Sequence, residues 1–279
     1  MTSTEVPVRP ASTVVLMRDA EAGGIEVLLV RRNRALAFAG GFWVFPGGAV
    51  DAEDLLAAGS EPDEAPRFAA AREAAEEAGI SPDPSSMVLV SHWTTPVGEV
   101  KRFSTWFYAA AVPEDCEVRI DRDEIHDWRF IRIADALRAH RDGQLPMLPP
   151  TFITLCALGR YGSAEEALRG EQASPCPHIL PRMVPLGEEE GGGAAGGAVG
   201  EGAGMVAGKA AAKAAAKAVA KAAGTAGFAT LYPGDVAYGA SGSDRLNDPG
   251  PRHRAVLLNG AWHYTYEGVS DEPSLYPLD

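Results

Sequence analysis

The sequence predicts an α/β fold with a mixed sheet, followed by a C-terminal α+β extension. First, short runs rich in β-branched and apolar residues recur through the first half of the chain, as strands require. Second, an alanine-rich stretch with helical spacing begins at Pro66 and stops at Gly79. Third, two helical runs and then several extended runs follow residue 143. We therefore place one domain at 10–143 and an extension at 144–279.

Six runs predict the strands of the first domain. The first two are separated by Glu21-Ala22-Gly23-Gly24, which indicates a hairpin. The six predicted strands are residues 12–17, 25–30, 42–45, 87–93, 102–112 and 126–133, and a later helix is predicted at 135–141.

The alanine-rich stretch carries the signals of a complete helix. Pro66 suits the first turn, where its missing N–H costs nothing. Asp63 and Glu64 precede it as candidate caps, and Gly79 suits a left-handed end. The face expected to pack in the core consists of Phe68, Ala71, Ala74, Ala75 and Ala78.

Three carboxylates occupy the other face near the end of this helix. Glu73, Glu76 and Glu77 are related as i, i+3 and i+4, so they lie within an arc of roughly 100°. Their mutual repulsion and the helix dipole both disfavour this arrangement. A solvated acidic face is one interpretation. The other is a site for a hard divalent cation such as Mg²⁺, which prefers carboxylate oxygens.

The same stretch resembles the Nudix box, whose pattern is G-x5-E-x7-R-E-U-x-E-E-x-G-U with U aliphatic. Glu64, seven residues and then Arg72-Glu73 match its middle, and the run from Glu76 to Ile80 matches its end. Position 58 is alanine, so the opening is read as Gly47-x5-Glu53, with an eleven-residue insertion between Glu53 and Glu64. Either Glu53 or Glu64 is then the first glutamate of the box.

The resemblance implies a Nudix α/β/α sandwich and a hydrolase that depends on Mg²⁺ or Mn²⁺. It also implies that Glu73, Glu76 and Glu77 hold the metal and that Arg72 orients Glu73. Glu77 or Glu124 would take the proton of the attacking water. The alternative for Glu124 is an ordinary loop carboxylate before the tryptophan-containing strand at 126–133.

The run that precedes the box partly resembles the coenzyme A diphosphatase signature. Its end, Gly41-x3-Phe45-Pro46-Gly47-Gly48, matches, whereas Val30 and Asn33 replace the Thr and Ser of the pattern. The long box and Thr95, Pro96, Arg102 and Phe103 resemble the peroxisomal branch. Coenzyme A or an acyl-CoA is therefore the expected substrate, giving 3′,5′-ADP and a phosphopantetheine. The alternatives are NADH or ADP-ribose, and a non-catalytic Nudix-fold binding or regulatory module.

Four cations and two glycines are the candidates for contact with the substrate. A glycine pair at Gly47-Gly48 lets the backbone approach a ligand closely. Phe103 and Trp106 are expected to pack in the core, with stacking on a base as the alternative. The candidate phosphate-binding cations are Arg31, Arg32, Arg34 and Arg102, of which the first three also fit a solvated strand end.

Composition restricts the partners. A formal net charge of −13 argues against general binding of nucleic acid, which needs a basic surface. No run of about 18 apolar residues predicts a membrane span, and the N-terminus lacks signal-peptide features. Cys116, Cys156 and Cys176 indicate a reducing, cytoplasmic setting. The predicted partner is a small-molecule nucleoside diphosphate, and the sequence is compatible with a homodimer.

The extension begins with two predicted helices, at 149–160 and 164–170. Extended segments are predicted at 178–185 and 230–238, and Asn259-Gly260 predicts a hairpin of 254–258 and 262–266. Four of the five lysines lie within 187–227, a Gly/Ala/Lys-rich segment predicted to be a flexible, partly helical surface insertion. A basic stripe for phosphate or an acidic partner is the alternative.

Overall fold

Two sheets organise the chain in a computed structural model that describes residues 6–33, 39–99, 101–186, 228–239, 245–258 and 260–269. Arg34, the segment 187–227 and the turn residue Asn259 lie outside the described residues. The strands are β1 (Val8–Asp19), β2 (Ile25–Arg32), β3 (Trp43–Val44), β4 (Gly47–Ala49), β5 (Val88–Thr94), β6 (Arg102–Ala111), β7 (Ile125–Arg132), β8 (His178–Ile179), β9 (Arg182–Pro185), β10 (Phe228–Leu231), β11 (Arg252–Leu258) and β12 (Ala261–Glu267). The α-helices are α1 (Ala52–Ala58), α2 (Ala65–Ala78), α3 (Ile133–Arg141), α4 (Pro149–Leu158) and α5 (Ala164–Ala173), with 3₁₀ turns at Pro62–Glu64 and Pro84–Ser86.

The first sheet confirms the predicted α/β fold with a mixed sheet. Within the described residues it has the order β3-β2-β1-β6-β5-β8, with β4 added on β1 and β7 on β2. Its central pair, β1 and β6, is parallel from Val8 opposite Arg102 to Met17 opposite Ala111. The β1–β2 and β5–β6 pairs are antiparallel. Both central strands are therefore hydrogen-bonded on each side, and their apolar residues face covering helices.

Helix α2 covers one face of this sheet and ends where the sequence predicts. Gly79 adopts φ 70°, its N–H donates to the Ala75 carbonyl and the Ile80 N–H donates to the Ala74 carbonyl, which closes the helix. Ala70, Ala74 and Ala78 pack on Val14 and other buried strand residues. The small alanine side chains let the helix backbone lie close to the sheet.

Two details of the helix prediction were wrong. Asp63 and Glu64 form a 3₁₀ turn, and neither is a side-chain cap: Glu64 occupies the N-cap position without a capping hydrogen bond. The buried face is also rotated from the predicted one. Phe68, Ala71 and Ala75 are only partly buried, whereas Ala69, Ala70 and Glu77 are fully buried. The rotation follows from the contact of Glu77 with β4, described below.

The other face of the sheet shares its core with the second sheet. This sheet has the order β12-β11-β10-β9. Trp262 of β12 is buried; its backbone N–H donates to His140 Nε2 at 2.9 Å and its indole N–H to the Met147 carbonyl at 3.1 Å. One apolar cluster consequently runs from Val15 and Leu29 through α3 and α4 to Trp262.

The predicted extended segment at 230–238 was too long. Strand β10 ends at Leu231, and the chain turns at Gly234, whose φ is 92°. Asp235 fixes this turn by accepting hydrogen bonds from the backbone N–H groups of Ala237 and His253. Arg254 pairs with both oxygens of the same carboxylate at 2.7 Å.

None of the described helices is long and apolar enough to cross a membrane.

Three aromatic rings stack across the far edge of the first sheet, on the α2 face. His92 lies between Trp106, at a centroid distance of 4.2 Å, and His178, at 4.4 Å, with interplanar angles of 15° and 11°. His92 Nε2 is 2.6 Å from Ser104 Oγ, and His178 Nε2 is 2.9 Å from Thr94 Oγ1. Burial and the neighbouring His178 lower the pKa of His92 to about 4. We call this arrangement the ring stack.

Replacing His92 by phenylalanine is expected to reduce the acid sensitivity of the fold. The unfolded chain binds a proton below pH 6.5, whereas folded His92 does not do so until about pH 4, so its contribution to stability is lost as pH falls through this window. After allowance for partial exposure, the wild type should lose about 1 kcal/mol more than the variant between pH 7 and pH 5. Urea unfolding at both pH values measures the difference. The exposed His126→Phe serves as the control, and equal losses in the wild type and His92→Phe would contradict the expectation.

Candidate active site

Strand β4 and the last turns of α2 form the base of the site. Gly47 N–H donates to Glu77 Oε2 at 3.0 Å. A Cβ built on Gly48 would overlap the Glu73 carboxylate, and one built on Gly47 would overlap Ser12 O and the side chain of Thr13. At Gly47 only glycine fits, because its neighbours there are the backbone and Cβ of β1; at Gly48 any side chain would displace the Glu73 carboxylate. The predicted Gly47-Gly48 pair therefore lies directly against Glu73 and Glu77.

Glu77 is a buried carboxylate with two partners. Its residue exposure is 4%, and its second oxygen accepts from Arg32 Nη1 at 3.3 Å. Burial raises its pKa to about 7, although the Gly47 N–H and Arg32 act in the opposite direction. The negative charges of Glu73 and Glu124 raise this pKa further. The group therefore changes protonation state near neutral pH in the metal-free protein.

Arg32 joins Glu77 to Glu124. It lies at the end of β2 and donates through Nη2 to Glu124 Oε2 at 3.2 Å. The backbone fixes this approach, because Asn33 N–H donates to the Glu124 carbonyl at 2.8 Å. The Nε–H of Arg32 is buried and has no hydrogen-bond partner within the described part of the chain. Arg32 thus brings a positive charge and an unused donor to the carboxylates.

Arg72 holds the other carboxylates in place. Its Nη1 donates to Glu73 Oε1 at 3.0 Å and to Glu76 Oε2 at 3.2 Å, and its Nη2 donates to the Ala49 carbonyl at 3.0 Å. Its hydrogen bonding to the Asp54 carboxylate is the largest of the effects that raise the pKa of Arg72. Asp54 receives both Nε, at 3.1 Å, and Nη2, at 3.0 Å. Arg72 is therefore hydrogen-bonded to three acidic side chains, those of Asp54, Glu73 and Glu76.

Sequence reasoning missed Asp54. The residue belongs to α1, which extends into the inserted segment, and its buried carboxylate also accepts the Asp51 N–H at 2.8 Å. The two residues considered for the first glutamate lie elsewhere: Glu53 is exposed and 3.6 Å from Arg72 Nε, and Glu64 pairs with Arg67. Counting from the second glycine gives Gly48-x5-Asp54, the spacing that would have identified it.

Glu73, Glu76, Glu77 and Glu124 form one electrostatic group. The pKa of Glu73 is raised, mainly by burial. The positive charge and hydrogen bond of Arg72 lower this pKa, and the negative charges of Glu76 and Glu124 raise it. Glu73 and Glu77 are largely shielded from solvent, whereas Glu76 and Glu124 are about half exposed. The group thus has a protected interior and an open side.

The donor chemistry of this group fits a hard divalent cation. Oxygen ligands with excess negative charge are what Mg²⁺ and Mn²⁺ prefer. Among the described residues, however, no three acidic, histidine or cysteine side chains already converge on one point. Arg72 binds the carboxylates of Glu73 and Glu76, and Arg32 binds that of Glu77. These contacts fix where the carboxylates lie that would hold a cation.

The predicted phosphate-binding cations do not all meet at the site. Arg31 follows the alternation of an extended strand, so it points away from Arg32 and donates to the Gly41 carbonyl at 3.2 Å, near the Trp43 ring. Arg102 is buried, and its Nε donates to the Thr95 carbonyl at 3.2 Å. Arg34 lies outside the described residues. Of the three described arginines, the structure brings Arg32 to the carboxylates.

Comparison with known proteins gives a consistent result. The sequence profile described as the NUDIX domain matches residues 7–150. A Nudix hydrolase from Alicyclobacillus acidocaldarius is 26% identical, with a TM-score of 0.54 over 59% of this chain and 96% of that chain. A C. elegans Ap4A hydrolase in a binary complex is 25% identical, with a TM-score of 0.35 over 47% of this chain and 85% of that chain.

A third solved structure is the NUDIX domain of Shewanella oneidensis NrtR complexed with ADP ribose. It is 18% identical, with a TM-score of 0.41 over 53% of this chain and 84% of that chain. A comparison with curated protein sequences gave no match.

Proposed function

Because the chain belongs to the NUDIX domain family and is a hydrolase of phosphorus-containing acid anhydrides, we propose that its substrate is a nucleoside diphosphate derivative, with coenzyme A or an acyl-CoA preferred. The observation that carries the proposal is the group of Glu73, Glu76, Glu77 and Glu124 beside Arg32 and the glycine turn. Cleavage of the diphosphate bond gives 3′,5′-ADP and phosphopantetheine or its acyl derivative.

Glu73, Glu76 and Glu77 are the proposed metal ligands. Bound Mg²⁺ or Mn²⁺ would supply charge neutralisation at the attacked phosphate and a more acidic water. Arg72 positions Glu73 and Glu76 through the contacts described above. Because Gly48 has no side chain, the Glu73 carboxylate lies directly against its backbone.

Glu124 is the proposed proton acceptor. It is half exposed, so water reaches it, and Arg32 holds it next to Glu77. Glu77 was the other candidate, but its oxygens lie against Gly47 N–H and Arg32, which suits a ligand better than a base. The buried Nε–H of Arg32 is available to a phosphate oxygen, to which arginine donors bind well.

The choice of coenzyme A rests on the sequence resemblance and one structural observation. The Thr95 and Arg102–Phe103 segments of the peroxisomal-type signature meet in a single loop. Thr95 Oγ1 accepts the Phe103 N–H at 3.0 Å, and the Thr95 N–H donates to the Phe103 carbonyl at 2.9 Å. These two bonds join the end of β5 to the beginning of β6.

Hydrolysis assays with the purified full-length protein test the proposal. Coenzyme A, acetyl-CoA, NADH and ADP-ribose would each be assayed with Mg²⁺, with Mn²⁺ and with chelator, next to Glu76→Gln. We expect metal-dependent release of 3′,5′-ADP from coenzyme A, and its loss in Glu76→Gln. The matched control is Glu165→Gln, an exposed glutamate on α5 outside the site, which should retain activity.

Other outcomes would contradict specific parts of the proposal. Turnover of NADH or ADP-ribose alone would exclude coenzyme A as the preferred substrate and retain the metal-dependent reaction. Absence of divalent-ion binding by calorimetry would exclude the ligand set. Metal binding without turnover of any of the four compounds would favour the binding-module hypothesis.

A further inference from the structure

The ring stack lies in line with the carboxylate group. Ser12 of β1 is opposite Gly48 of β4 and opposite Trp106 of β6. Trp106 is opposite His92, and His92 is opposite His178. Residues paired across neighbouring strands point to the same face of a sheet. One row therefore crosses five strands, from the glycine beneath Glu73 to the three rings.

The positions between the carboxylates and the rings carry little side-chain bulk. Gly48 has no side chain, and Ser12 is a small residue, only 1% exposed, whose hydroxyl donates to the Trp106 carbonyl at 3.3 Å. With strands about 4.8 Å apart, the backbones of Gly48 and Trp106 are separated by roughly 10 Å. A ribose with its attached phosphates covers a distance of this order, so a nucleotide whose diphosphate lies at Glu73 is long enough to reach Trp106 with its base.

The stack holds Trp106 in a fixed orientation. His92 packs on one face of the indole nearly parallel to it, and His178 packs on the other side of His92. His92, the middle ring, stays neutral at neutral pH because burial and the neighbouring His178 lower its pKa to about 4. Trp106 packs at the margin of the α2-side core and remains partly exposed, whereas Trp93 and Phe107 are buried in the core on the opposite face of the sheet.

We propose that Trp106, backed by His92 and His178, is the platform on which the nucleobase of the substrate stacks. The inference rests on the hydrolase function proposed above and specifies how the nucleoside part of the substrate is bound. A flat aromatic base of any identity gains from such a surface, because every base presents a π-face. The stack therefore contributes affinity for nucleosides over diphosphates that lack a base.

Equilibrium binding by Trp106 variants tests the inference. The probes are ADP and 3′,5′-ADP, which carry a base, and inorganic pyrophosphate, which does not. Trp106→Leu is expected to weaken binding of both nucleotides by about 10- to 100-fold, the range for loss of one base–aromatic stack. Its affinity for pyrophosphate should stay within about twofold of wild type, and Trp106→Phe should recover most of the nucleotide affinity. Trp128→Leu is the matched control, because Trp128 is exposed on β7 beyond the other side of β2.

A second measurement does not depend on the leucine variant folding. The full chain with its five tryptophans fluorinated gives one ¹⁹F resonance for each, and Trp106→Phe assigns that of Trp106. ADP should shift this resonance, and pyrophosphate should not. Equal weakening of ADP and pyrophosphate, or an unmoved resonance at saturating ADP, would overturn the inference.

The tests separate this inference from the proposed hydrolysis. Binding of ADP through Trp106 by a protein that hydrolyses none of the four substrates would contradict the proposed function alone. Substrate turnover with a KM that is unchanged in Trp106→Leu would overturn the platform alone. For the platform to hold, the variant must raise KM and leave kcat within about threefold of wild type.

Discussion

Glu77→Gln is expected to lower kcat by about 10²–10³-fold, the range for loss of one preorganised charged group at a reacting centre. The substitution keeps the shape of a side chain that is almost fully buried, so the loss reflects charge and not packing. Metal affinity should fall with it, because glutamine supplies a neutral oxygen where a carboxylate stood. Steady-state kinetics and Mn²⁺ titration measure both effects, with Glu165→Gln as the control.

The same substitution should have the opposite effect on stability in chelator. In the metal-free fold the pKa of Glu77 is raised to about 7, so between pH 4.5 and 7 the folded state binds more protons than the unfolded state. The free energy of unfolding therefore falls as pH rises through this window, by up to about 3 kcal/mol. Glutamine does not ionise, so the free energy of unfolding of Glu77→Gln does not fall in this way. The variant should be more stable than wild type at pH 8 in chelator. Saturating Mg²⁺ should reverse the order, because it stabilises the wild type by binding its folded state.

Urea unfolding at pH 5 and pH 8, with and without Mg²⁺, measures these differences. A variant that is less stable than wild type by the same amount under all four conditions would contradict the assignment. Such a result would mean that Glu77 serves the fold through its hydrogen bonds with Gly47 and Arg32 and does not bind the metal.

Asp54→Asn is expected to have the second-largest effect. The variant keeps an oxygen for the Asp51 N–H but removes the charge that binds Arg72 through two hydrogen bonds. Loss of one member of a fully buried pair costs about 3–5 kcal/mol; Arg72 is partly exposed and keeps Glu73 and Glu76, so about 2 kcal/mol is expected here. Arg72 would also hold Glu73 less firmly, which should lower metal affinity and kcat by about 10- to 100-fold.

Two neighbouring variants control for this positioning role. Glu53→Gln removes an exposed charge next to Asp54, and Glu64→Gln removes the other glutamate that the box pattern suggests. Both should keep Mn²⁺ affinity and kcat within about twofold of wild type. A larger loss in Glu64→Gln than in Asp54→Asn would assign the role to Glu64 despite its distance from Arg72. A drop in stability without a change in Mn²⁺ affinity would make Asp54 purely structural.

Sequence reasoning located the carboxylate helix and its end but not the direction in which Glu77 points. Residues seven apart on a helix differ by only about 20°, so Glu77 lies nearly above the buried Ala70. Phe68, in contrast, is turned by roughly 160° from Ala70 and is only partly buried. Helical spacing alone therefore places Glu77 on the buried face. It does not show that the Gly47 N–H and Arg32 donate hydrogen bonds to this carboxylate, which offset the cost of burying its charge against the sheet.

The arginines show a different limit. Arg31 and Arg32 are adjacent in a strand, so strand alternation predicts that only one of them faces α2, and the sequence does not say which. The pairing of β2 with β3 and β7, which are distant in sequence, decides which arginine faces α2. In the same way, the parallel register of β1 and β6 brings Trp106 opposite Ser12, and no local pattern around Trp106 reveals this neighbour. Sequence reasoning missed Asp54 because the inserted segment left two glutamates, Glu53 and Glu64, at positions that match the first glutamate of the box.

The buried position of Trp262 has a consequence for folding during synthesis. The C-terminal hairpin supplies an indole that bonds to Met147 and a backbone N–H that bonds to His140, residues made more than a hundred positions earlier. A nascent chain that has already formed β1, β6 and α2 still exposes the apolar surface that this hairpin covers. A hairpin made after the whole first sheet thus completes the core, and chains truncated before it would present that surface to chaperones and proteases.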